Sequence, residues 1–140
     1  MTTRLLIGFI ASLVSASAFA EGQYSVVRVQ MPDQYSVISI QKTADNAICR
    51  KANADYVKEM RAKCPTCKVQ SARCETALKG SAAALMTKRS LKSYSVTAGD
   101  TRLLVSGKED KARPACEQLA KELSAKGVSA SCVAPGQQRS

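Results

Sequence analysis

The segment "YSVVRVQMPDQYSVISIQ" (24–41) alternates apolar and polar positions on both sides of a Pro32-Asp33 pair, the pattern of two half-buried strands joined by a turn. "YSVTAGDTRLLVSG" (94–107) repeats the arrangement, with Gly99-Asp100 at the turn. After each hairpin the period lengthens from two to between three and four. In "DNAICRKANADYVKEMRAK" (45–63), Asp45 is a candidate N-cap, and Ile48, Cys49, Ala52, Tyr56 and Met60 form the predicted buried stripe. In "KARPACEQLAKELSAKG" (111–127) the stripe is Ala112, Ala115, Cys116, Leu119, Ala120 and Leu123, with Pro114 in the first turn and Gly127 as the stop. Each helix carries a cysteine near its start, and a short strand ending in cysteine follows it: "KVQSARC" (68–74) and "GVSASC" (127–132).

These patterns predict an α+β domain made of two pseudo-symmetric strand-strand-helix-strand units, about 24–74 and 94–132. They should form one antiparallel sheet, with the helices on one face and the other face exposed. The connector 75–93, "ETALKGSAAALMTKRSLKS", has an Ala-rich centre that predicts a short helix. Its Lys79, Lys88, Arg89 and Lys92 have no acidic neighbour after Glu75. They read either as a basic contact surface or as solvated connector residues. The tail "APGQQRS" is expected to fray.

The first twenty residues change the picture of where the domain works. Arg4, the apolar run "LLIGFIASLV" and the small residues Ala18 to Ala20 make a secretory signal peptide, leaving 21–140 as one domain without a transmembrane segment. The expected destination is the periplasm or the exterior. The whole chain carries a net charge of +10, and Arg4 is the only charged residue in the first twenty, so the exported part is strongly basic. That favours an anionic partner, and export argues against nucleic acid. The chain has no histidine, which removes Ser-His-Asp and Cys-His nucleophile systems and histidine metal ligands. No catalytic residue, metal or cofactor is expected.

Six cysteines in an exported chain read as a disulfide framework. A helix from Cys49 to Lys63 climbs about 21 Å, and a strand from Lys68 to Cys74 returns about 20 Å. Cys74 should therefore end beside Cys49. The second unit closes in the same way, about 15 Å of helix against about 13 Å of strand, so Cys116 should meet Cys132. Cys64 and Cys67 remain as a local pair in "CPTC". That motif follows a helix, whose negative end disfavours a thiolate, so a structural bridge is expected rather than redox chemistry.

The pattern resembles the SPOR (sporulation-related repeat) domain, a duplicated β-α-β module. The first half matches through Tyr35 and Val37 of "YSVISIQ" and through Asn46-Ala47 at the helix start. The second half matches through Arg102, Gly107, Leu119, Leu123, Gly127, Ala130 and Val133. The likeness spans about 35–133 and lacks the family's Gly-Ser-Phe and Gly-Pro-Phe turns. It implies binding of peptidoglycan glycan strands. The expected function is thus a non-catalytic module that recognises peptidoglycan or another anionic envelope ligand through its open sheet face. The candidate contacts are Arg28, Arg102, Lys88 and Arg89. The alternatives are an envelope-protein binder (an inhibitor, immunity protein or secretion accessory) and a thiol-disulfide oxidoreductase using Cys64 and Cys67.

Overall fold

The computed structural model describes residues 23–138; the expected signal peptide, 1–20, lies outside them. Elements follow in the order β1 (Gln23–Gln30), β2 (Tyr35–Thr43), α1 (Asn46–Lys63), β3 (Lys68–Glu75), α2 (Gly80–Thr87), β4 (Tyr94–Ala98), β5 (Thr101–Gly107), α3 (Glu109–Ala125) and β6 (Ala130–Val133). The fold is α+β. Six strands form one antiparallel sheet in the order β3-β1-β2-β5-β4-β6. Exchanging the strands of one half for their counterparts in the other leaves that order unchanged. In each half the hairpin's first strand lies between its second strand and the strand that follows the helix. The halves meet where β2 pairs with β5.

Local chemistry explains where the elements begin and end. The first hairpin closes through the Met31 amide, which donates to the Tyr35 carbonyl at 2.9 Å, with Gln34 in the left-handed region. The second turns at Gly99, whose φ of 56° a side chain would resist. At the start of α1 the Asp45 carboxylate accepts the Ile48 amide at 2.8 Å. Helix α3 ends in a Schellman pair: Gly127 donates to Ser124 and Val128 to Leu123, with Gly127 at φ 86°. It starts at Glu109, earlier than the periodicity indicates, so Pro114 is its sixth residue and lies beyond the first turn.

Both long helices lie on one face of the sheet. Helix α3 packs Ala112, Cys116 and Ala120 on Val37, Tyr94, Val96, Leu103 and Val105. Helix α1 buries Cys49 and Asn53, whereas Ile48, expected in its stripe, is half exposed. The bridge from Cys49 to Cys74 fixes which side of α1 faces in. Asn53, one turn on, falls on that side, and Ile48 is rotated about 100° away. The Ser25 hydroxyl donates to Asn53 Oδ1, and Asn53 Nδ2 lies 3.4 Å from Cys74 Sγ, so the buried amide is satisfied.

The opposite face is not bare. Helix α2 buries Ala82 and Leu85 against Val26, Ile40 and Leu104 there, which explains why Val26 and Val27 are both buried although they point to opposite sides. The tail is also held: the Gly136 amide donates to the Leu91 carbonyl at 2.8 Å, and the Ala134 amide to Gln137 Oε1 at 2.9 Å. The face expected to be open is therefore covered at its centre, and the described part of the tail expected to fray, 134–138, is docked through Gly136.

Candidate ligand-binding face

The disulfides join Cys49 to Cys74, Cys116 to Cys132 and Cys64 to Cys67, with Cα–Cα distances of 6.0, 5.6 and 5.4 Å. The first ties the start of α1 to the end of β3. The second joins the middle of α3 to β6: Cys116 is the eighth residue of that helix, which begins at Glu109 and not near the cysteine as expected. The third closes the turn after α1, where the Cys64 amide donates to Met60 and the Cys67 amide to Cys64. Its sulfurs sit at the carbonyl end of the helix, where a thiolate gains nothing from the helix dipole. Cys67 Sγ lies 3.5 Å from the thioether of Met31. Among the described residues no three His, Cys, Asp or Glu side chains gather as a metal site would need, and no helix is long and apolar enough to cross a membrane.

Strand alternation distributes the charges unevenly. The side of the sheet that carries α1 and α3 is electrically mixed: those helices contribute Asp55, Glu59, Glu109, Asp110, Glu117 and Glu122. Lys51 pairs there with Asp55, Arg113 with Glu117, and Glu59 with both Lys63 and Lys126. The two lysines at 2.7 and 3.0 Å hold the Glu59 carboxyl below its ordinary range, mainly through the hydrogen bond from Lys63. The face carrying α2 differs. Register places Arg28, Lys42, Lys68, Arg73 and Arg102 there, and Glu75 is the single carboxylate that the strands supply among the described residues.

Within this face the residues separate into two groups. Arg28 pairs across with Ser71, so Arg73 is its diagonal neighbour, at the roughly 7–8 Å spacing of such positions. Beside them an open cleft of about 460 Å³ is lined by Arg28, Cys74, Glu75, Thr76, Ala77 and Lys79. Arg102 lies on the far side of β2, opposite Ile40, and its guanidinium donates to the carbonyls of Gly99 and Thr101 at 2.6 and 3.2 Å. It holds the β4–β5 turn. Lys88 and Arg89 follow α2 as exposed residues, separate from the residues lining that cleft.

Of the four basic residues expected to bind, the structure therefore places Arg28 in a cleft with Lys79 and Glu75, and Arg102 on its own turn. Arg73 and Lys79 complete the cluster. Arg73 was legible in principle: Cys74 must face α1 to be bridged, so its neighbour must face the other way. Comparison of the chain with protein-family models, curated proteins and solved structures returns no match.

Proposed function

We propose that this chain is an exported, non-catalytic binding module for an anionic polymer of the cell envelope, such as peptidoglycan. The carrying observation is the segregation of charge: Arg28, Arg73 and Lys79 line or adjoin one cleft, while most of the described carboxylates lie on the helices across the sheet. A repeating anionic ligand gains from several fixed cations at once, and a disulfide-held sheet loses little freedom on binding. The pseudo-symmetric strand order and the SPOR-like residues favour a glycan strand as the polymer. The two half-exposed sulfurs at the end of α1 remain a structural bridge in this reading. Co-sedimentation with purified peptidoglycan sacculi tests it. The protein is expected in the pellet at low salt and progressively in the supernatant as salt rises; a protein that stays in the supernatant at every salt concentration excludes it.

A further inference from the structure

We propose that the outer edge of β3, with the groove beside it, docks an extended, acid-rich segment of a partner protein by strand addition. Strand β3 ends the sheet, so one side of its eight-residue backbone, in which the register shifts just before Ser71, has no strand partner among the described residues. The other edge, β6, is only four residues long. Above the β3 edge runs α1, and between them lies an open groove of about 450 Å³ lined by Asn53, Ala54, Val57, Lys58, Arg61 and Ala72. Ala54, Val57, Lys58 and Arg61 recur at three- and four-residue steps, so one stripe of the helix runs along the groove. Its floor is small and apolar, and its rim is cationic. An added strand has both features available: backbone pairing along β3, and shallow space for alternate side chains under α1.

The charges select the occupant. Side chains of an added strand alternate between the two faces of the sheet. On the helix side they would meet Lys58 and Arg61, and on the other side Lys68 and Arg73. None of these four is in an ion pair that occupies it among the described residues. Acidic side chains on the incoming strand satisfy both rows. A second copy of this chain, pairing β3 with β3, would bring the same cations against one another, which disfavours it. The edge is also preorganised. Cys74 anchors one end to α1 through Cys49, and the Cys64–Cys67 bridge fixes the turn entering the other. Little backbone freedom remains to be lost when a strand is added.

The test uses the disulfide-intact chain and a synthetic nine-residue peptide of alternating Glu-Glu and Val-Val pairs, which puts acids on both faces of an added strand, with a peptide carrying lysine in place of each glutamate as control. Amide hydrogen exchange is followed by NMR while the peptide is titrated. The expected result is saturable binding that slows exchange at amides within Ser71–Glu75, no binding of the lysine peptide, and at least tenfold weaker binding to the K58E/R61E variant. Absence of saturable binding to the wild type overturns the proposal. So does binding that leaves β3 amides unprotected and perturbs only the surroundings of Arg28 and Lys79, since that places the acid on the basic face. Protection of β3 that grows with protein concentration without peptide also overturns it, because the edge is then filled by a second copy.

Discussion

At the scale of single residues, Gly107 shows how a small side chain fixes the junction of the halves. It pairs with Tyr35 across the β2–β5 boundary, has φ 153°, and a Cβ there would lie 2.8 Å from the Tyr35 Cβ. Both Cβ atoms are attached directly to paired backbone and have little room to yield. Gly107→Ala is therefore expected to cost about 1–3 kcal/mol, read as a lower denaturant midpoint with an unchanged slope. Glu59 makes a smaller and pH-dependent contribution. Its carboxyl is held below the ordinary 4.5 by Lys63 and Lys126, so its stabilisation is present above that value and is lost as pH falls through the lowered one. Because all three side chains are at least half exposed, solvent screening keeps the effect below about 1 kcal/mol. Urea melts of wild type and Glu59→Gln should differ by that small amount at pH 7 and converge as pH falls through the lowered carboxyl value.

The elements divide according to whether local or distant contacts determine them. Both hairpin turns, the Asp45 cap and the Gly127 stop depend on nearest neighbours, and the sequence pattern locates them. The stripe of α1 does not follow from apolarity alone. Ile48 is more hydrophobic than Asn53, yet Asn53 is inside because the Cys49 bridge and the Ser25 hydroxyl reach it. Helix α2, "GSAAALMT", is apolar around most of its circumference, so its sequence does not indicate which sheet face it will cover. Only Val26, Ile40 and Leu104, brought together by three strands, supply that information. The cysteines act at this scale too. Replacing Cys49 and Cys74, or Cys116 and Cys132, with alanine releases loops for which the chain-entropy relation gives about 3 kcal/mol each. For Cys64 and Cys67 it gives about 2 kcal/mol. Thermal melts should rank the three double variants in that order, with the Cys64/Cys67 variant nearest to wild type; the opposite order would give the short bridge a role beyond closing its turn.

For the molecule as a whole, the sheet separates two electrical environments. On one side, helices α1 and α3 mix acids with bases and neutralise part of the charge in ion pairs. On the other, strands and connector present cations, with Glu75 as the only strand carboxylate among the described residues. The +10 total was legible from composition, but its distribution was not, because it depends on which strand residues face which layer. Arg102 illustrates the difference: as a strand arginine it looks like a ligand contact, and in the fold it braces a turn. The most direct measurement compares two double variants of equal charge in the sacculus sedimentation assay. R73E/K79E reverses cations beside the Arg28 cleft, and R50E/K121E reverses exposed cations on α1 and α3. Binding should fall at least tenfold in the first and stay near wild type in the second. Equal losses in both would contradict the account, since net charge rather than the placed face would then drive association.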